Sequence, residues 1–160
     1  MGPMGDRDSG GPSIRRARTS DWAALTAIDP IAGVEEARRE SIRRWCEHGS
    51  VLVAEESSAP VGYGVLEYTF FEQGFLTLLT VAPHARRRGV ATRLVEAVEA
   101  ACTTAKLFTS ANVSNHPMQR LLHGIGWRPV GLVHGLDEGD PELFHLCPGD
   151  RLGGAGPAGG

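Results

Sequence analysis

The sequence predicts a mixed α/β domain built on one central sheet. Three observations carry that expectation. Extended and helical patterns run in the order β, α, α, three strands, then α, β, α, β, β. The run from Phe75 to Val81 is largely apolar on both alternating faces, as in a strand at the middle of a sheet. Val90, Leu94, Val95, Val98, Ala101 and Cys102 form one stripe at helical spacing, with Arg93, Glu96 and Glu99 mostly outside it.

Each element has its own local reason. Residues 13 to 18, SIRRAR, predict a short first strand. The polar cluster Thr19-Ser20-Asp21 opens a helix through Trp22, Leu25 and Ile28, which Pro30 closes. Val34, Ala37, Ile42, Trp45 and Cys46 predict a second helix over 34 to 47, with Gly49 as its C-terminal cap. Val51 to Ala54 is a β-rich run, and Ser57-Ser58-Ala59-Pro60 is turn chemistry. Val61 to Phe71 resumes an extended pattern. Within it Gly62 and Gly64 mark a bend or a close approach.

Gln73-Gly74 punctuates again. The next strand would place Phe75, Thr77, Leu79 and Val81 on one face and Leu76, Leu78 and Thr80 on the other, ending at Pro83. A long helix over 89 to 104, a strand over 106 to 113 and a short helix from 115 or 116 to 123 follow. Residues 127 to 136 and 143 to 146 read as the last strands, joined by a turn at Asp137-Glu138-Gly139-Asp140.

The 160 residues predict a single domain, and 41% apolar with 22% charged residues is ordinary for a soluble globular one. A net charge of -3 argues against a nucleic-acid partner. No apolar run reaches the roughly 18 residues of a membrane span, so no membrane association is expected. Nearly half of the 21 glycines lie in residues 1 to 12 and 148 to 160, which are expected to be flexible tails around a folded unit of 13 to 147. Cys46, Cys102 and Cys147 form no CxxC pair, and the N-terminus lacks a secretory apolar segment. The expectation is a cytoplasmic protein with buried cysteines and no metal site. Trp22, Trp45 and Trp127 read as core or interface residues.

Chemistry concentrates in LLTVAPHARRRGVATRLVEAV, residues 78 to 98, which runs strand, basic loop, helix. A helix start carries free N–H groups and a partial positive charge, a ready site for pyrophosphate. Arg86, Arg87 and Arg88 add charge, the Thr92 hydroxyl can donate to a phosphate oxygen, Gly89 admits close approach of backbone, and Ala91 leaves room. Three arginines also read as a solvated charge run. The apolar strand feeding the loop and the clean helix face behind it favour the phosphate reading. No GxxxxGK[ST], GxSxG or strand-borne GxGxxG is present.

Arg86-Arg87-Arg88-Gly89-Val90-Ala91 resembles the [QR]-x-x-G-x-[GA] signature of the GNAT N-acetyltransferases. Leu79-Thr80-Val81-Ala82-Pro83 is similar to that family's central strand. Ser114-Asn115, Leu121-Leu122 and Gly126-Trp127 resemble its second motif, and the element order agrees over about residues 13 to 147. The resemblance implies the acyl-CoA N-acyltransferase fold, a mainly antiparallel sheet of about seven strands flanked by about four helices. It implies acetyl-CoA as cosubstrate, CoA as product, and acetyl transfer by direct attack of a primary amine, most simply that of a small molecule, in a ternary complex. Pantetheine would pair with the backbone of Leu79, Thr80 and Val81. Pyrophosphate would sit on Arg86 to Thr92, and Asn115 would hold the cofactor near its thiol end. A homodimer also accords with the resemblance.

The chain departs from that pattern at two places. Leu122 stands where the family often has a tyrosine that protonates the departing thiolate, and His116 and His123 lie nearby in sequence. Thr77 stands where many members have a strand carboxylate, with Glu67 and Glu72 as substitutes. The plain reading of both histidines is structural or exposed, and that of Glu67 is a solvated strand position. Asp140 and Glu142, in the acidic stretch LDEGDPELFHL, read either as a polar hairpin turn or as a rim attracting a cationic amine. Two alternatives stand beside the small-molecule enzyme. One is a catalytically silent acetyl-CoA-binding module, and the other acetylates protein N-termini or lysines.

Overall fold

The computed structural model describes residues 10–152. Its strands are β1 (Ser13–Arg16), β2 (Val51–Glu56), β3 (Ala59–Phe70), β4 (Gln73–Val81), β5 (Leu107–Asn112), β6 (Arg128–Val133) and β7 (Glu142–Leu146). Its helices are α1 (Trp22–Ile28), α2 (Glu36–Glu47), α3 (Val90–Ala101) and α4 (His116–Gly124). The element order is the one the sequence predicts. The strands form one sheet in the order β1-β2-β3-β4-β5-β7-β6, antiparallel throughout except for β4 beside β5.

The helices cover the two faces separately. Leu25 of α1 and Ile42 and Cys46 of α2 pack on Val51, Val53, Tyr63 and Val65. Across the sheet, Val90 and Leu94 of α3 pack on Ala54 and Val61. Val95, Val98 and Leu122 pack on Leu66, Leu76, Leu107 and Trp127. Gly62 lets α3 approach: a Cβ there would stand 2.9 Å from the Thr80 carbonyl and 3.2 Å from Val90 and Leu94. Close approach is therefore the role of this glycine.

Two features of β4 differ from the sequence expectation, for one reason. Val65 is paired with Leu78 and Leu66 with Leu76, so Thr77 is an extra residue, a β-bulge. The bulge inverts the alternation. Leu76 joins the α3/α4 core, Leu78 the α1/α2 core, and Leu79 the α3/α4 side again. Strict period-2 reading cannot detect such a slip. The strand is also not buried along its length: Thr77 is exposed and Leu78 to Val81 are half-buried, because β5 pairs only with Gly74 to Leu76. Phe71, read as strand, lies with Glu72 in a two-residue hairpin turn, both at positive φ.

The folded unit is longer than 13–147. Pro12 is buried, and its carbonyl accepts from Arg93 Nη2 at 3.2 Å. At the other end Leu152 is 7% exposed and completes the α3/α4 core. Glycine-rich composition concealed this one apolar anchor. The remaining tail residues, 1–9 and 153–160, lie outside the described residues. The same C-terminal turn buries Glu99, which helical spacing placed outside the α3 stripe. Glu99 Oε2 accepts from the Cys147 thiol at 3.3 Å and lies 3.9 Å from Arg151 Nη1.

Burial raises the Glu99 pKa, opposed by the Cys147 bond and by Arg151. A carboxyl whose folded pKa is raised stabilises the fold most below its unfolded pKa and least once pH has risen through the folded value. Glu99→Gln, which cannot ionise, is therefore expected to raise Tm by about 3 °C at pH 8 and to leave it unchanged at pH 4. Thermal melts at the two pH values check this.

Candidate active site

The cleft originates at the bulge. β4 and β5 pair over three rungs, Gly74 with Leu107, Phe75 with Phe108 and Leu76 with Thr109. The buried Thr109 hydroxyl donates to the Leu76 carbonyl at 2.7 Å and finishes the last rung. Beyond Thr77 the strands part, and a cleft of about 850 Å³ opens between β4 and α4.

The wall formed by β4 is backbone. Ala82 N–H bonds to Val61 O at 2.8 Å, and the register pairs Gly62 with Val81. In an antiparallel ladder alternate residues bond the partner strand. Thr80 therefore bonds β3, while Leu79 and Val81 turn their N–H and C=O groups toward the cleft. Two of the three residues assigned from the resemblance thus offer free main-chain groups.

The upper end suits an anion. Gly89 caps α3 at φ +78°, and Arg87 also has positive φ. The first intrahelical bond runs from Arg93 N–H to Gly89 O at 3.1 Å, so the N–H groups of Val90, Ala91 and Thr92 have no partner within the helix. No side chain caps this end and no acid lies in the first turn. Arg86 and Arg87 line the cleft beside it. Arg88 does not: its guanidinium pairs with Glu56 at 2.9 Å.

Asn115 lines the cleft and also caps α4, its Oδ1 accepting from Met118 N–H at 3.3 Å. Pro117, Met118, Arg120 and Leu121 complete the α4 wall. Sequence reading missed them, although Asn115, Met118 and Leu121 recur at helical spacing and could have been grouped.

The opposite rim, Asp29-Pro30-Ile31 between α1 and α2, was also missed. Asp29 is buried and holds it. One carboxylate oxygen accepts from Tyr63 Oη at 2.6 Å and Arg38 at 3.1 Å, the other from Ile31 N–H at 2.9 Å. Burial, then the Asp29 bond, pushes the Tyr63 pKa up, so the phenol stays a donor. No sequence signal connects residues 29 and 63. Tyr63→Phe removes one donor from a buried carboxylate and is expected to cost about 1–3 kcal/mol, read by urea denaturation.

The remaining candidates separate by position. Glu67 and Thr77 meet where the strands begin to part, Thr77 Oγ1 donating to Glu67 Oε1 at 2.7 Å, although neither is among the residues lining the cleft. Glu72 is exposed in the hairpin turn. His116 and His123 are exposed and outside the residues lining the cleft. Leu122 is 0% exposed, within the core rather than the cleft. Asp140 accepts from the backbone N–H and the hydroxyl of Ser114, tying the acidic loop to the β5–α4 loop. Glu142 lies on β7 opposite Asn112. Cys46, Cys102 and Cys147 are free and buried, and burial pushes the Cys46 thiol up to about 11. Among the described residues no group of three or more His, Cys, Asp or Glu could hold a metal ion, and no helix is long and apolar enough to cross a membrane.

A cleft between parting parallel strands, with an uncapped helix start at its head, defines an acyl-CoA N-acyltransferase fold. The chain belongs to the acetyltransferase (GNAT) family, which matches over residues 14–127, and so to the N-acetyltransferases. A GNAT-family acetyltransferase from Bacillus cereus is 31% identical with a TM-score of 0.81, over 86% of this chain and 97% of that one. A Salmonella typhimurium protein solved with its cofactor acetyl-CoA is 20% identical at TM-score 0.69, over 86% and 93%. Diaminobutyrate acetyltransferase from Paenibacillus lautus, solved with L-2,4-diaminobutyric acid and coenzyme A, is 19% identical at TM-score 0.70, over 88% and 96%. No curated protein matches the sequence.

Proposed function

We propose that this chain uses acetyl-CoA to acetylate the primary amine of a small molecule. The observation that carries the reading is the fork, which joins unpaired strand backbone to an unsatisfied helix start within one cleft. The residues fit the group. The outward N–H and C=O of Leu79 and Val81 match pantetheine amides. The free N–H groups of Val90 to Thr92, with Arg86 and Arg87, match a pyrophosphate. Asn115 and Met118 would border the arm from the α4 side. Bound there, acetyl-CoA supplies an acetyl group on a thioester.

The protein's own chemistry is modest. Glu67, held by the Thr77 hydroxyl, accepts a proton from the incoming ammonium, directly or through one water. That pairing at the fork favours an active enzyme over a silent binding module. The two tyrosines are engaged elsewhere, Tyr63 with Asp29 and Tyr68 with Ala101 and Thr103, so thiolate departure does not rely on a phenol. A CoA thiol is acidic enough to leave without one. The buried cysteines offer no activated nucleophile, which supports direct transfer without an acyl-enzyme. Three unpaired thiols also support a reducing compartment, the cytoplasm.

Calorimetric titration is expected to give binding of acetyl-CoA and CoA but not of ATP. Binding by none of the three would overturn the reading. Gly89→Glu places a negative, strained residue at the cap and is expected to weaken acetyl-CoA binding by at least about tenfold. Arg88→Ala, whose guanidinium serves Glu56, is expected to change it less than Arg86→Ala does.

Glu67→Gln is expected to lower kcat by about a hundredfold or more with an unchanged Kd for acetyl-CoA, measured by thiol release and calorimetry. Full turnover by this variant would remove Glu67 from the mechanism.

A further inference from the structure

All five phenylalanines of the chain gather in one cluster. The Phe70 ring centroid lies 5.0 Å from that of Phe71, 4.9 Å from Phe75, 5.3 Å from Phe108 and 5.5 Å from Phe144, the last stacked at 20°. None of the five is buried, and Phe71 is 83% exposed. Rings of this size normally fill a core. Here they lie on an open face of the sheet.

Strand alternation identifies the face. Leu76, Leu107 and Cys147 point into the α3/α4 core, so Phe75, Phe108 and Phe144 point the other way. That is the side of α1 and α2, whose core residues reach only Val51, Val53, Tyr63, Val65 and Leu78. Over β5 and β7 no described helix covers it.

The cluster adjoins the reacting end of the cleft. Phe75 and Phe108 form the middle rung of the short β4–β5 pairing, and Thr77 stands two residues on. Glu67 is the register partner of Phe75. Glu142 shares the face of Phe144 two residues away, opposite Asn112. Asn112 in turn donates to Asp137 at 2.8 Å, which holds the acidic loop beside this end. Ile31, an exposed apolar side chain, lines the cleft.

We propose that this face is the acceptor subsite and that it selects arylalkylamines, primary amines carried on an aromatic body. The inference rests on the acetyl-CoA reading of the cleft. A flat apolar body gains contact with the Phe75, Phe108 and Phe144 rings. Its ammonium is attracted by Glu67 and Glu142. An amino acid brings a carboxylate against Glu67, Glu142 and Asp137, and a polyamine has no ring to cover the aromatic surface.

The test measures initial rates of thiol release at saturating acetyl-CoA with phenethylamine, tryptamine, putrescine and glycine. The expected kcat/KM for the two arylalkylamines is at least tenfold above the others. Phe144→Ala and Glu142→Gln are each expected to raise KM for phenethylamine several-fold with KM for acetyl-CoA unchanged, and Phe144→Tyr to restore it. Equal rates for all four amines by an enzyme that binds acetyl-CoA would overturn the inference and leave the cofactor reading intact. Absence of acetyl-CoA binding would overturn both. A Phe71→Ser variant that turns a dimer into a monomer in sedimentation, with KM for phenethylamine unchanged, would assign the cluster to a second copy of the chain instead.

Discussion

The extra residue at Thr77 is the constraint on which the rest of the site depends. A continuous parallel ladder between β4 and β5 would satisfy every backbone group and leave no cleft. The bulge ends that ladder after three rungs, and Thr109 closes the last of them with a side-chain bond to the Leu76 carbonyl. The unpaired edge of β4 then lines the cleft. The same slip turns Leu78 toward the α1/α2 core and Leu79 toward α3, so both cores stay filled while the strand departs from its neighbour. One inserted residue thus opens the site at the cost of a few hydrogen bonds, and the two flanking helix layers hold it open.

Buried polar groups fix what surrounds the fork. Asp29 is taken out of water but receives donors from a phenol, a guanidinium and backbone, which holds the α1–α2 rim in one arrangement. Asp140 does the same for the acidic loop through Ser114. Its carboxylate therefore supports the rim rather than standing free to meet a ligand. Glu142 instead shares a sheet face with Phe144.

The departures from the family pattern have a coherent physical form. Leu122 contributes to the core and not to the cleft. Where many members have a strand carboxylate, the Thr77 hydroxyl on the bulge bonds Glu67 from the neighbouring strand. A carboxylate thus reaches the fork from β3 instead of β4.

Much of this was legible in the chain. The order of strands and helices, the basic turn before α3 and the close packing at Gly62 all rest on local periodicity or on contiguous residues, which spacing reveals. What spacing could not reveal has one common cause. The burial of Glu99 beside Cys147, the Asp29–Tyr63 bond and the diversion of Arg88 to Glu56 each depend on partners tens of residues away, and the Thr77 bulge depends on register with the neighbouring strand. The convergence of the five phenylalanines is likewise decided by strand register. By itself the sequence determined which segments would be strands and helices and where a basic turn would meet a helix start, because those choices are made within a few residues by backbone geometry and side-chain alternation. Which carboxylate meets Thr77, and which face of the sheet no described helix covers, were decided only when the sheet assembled, because register between distant strands sets those distances.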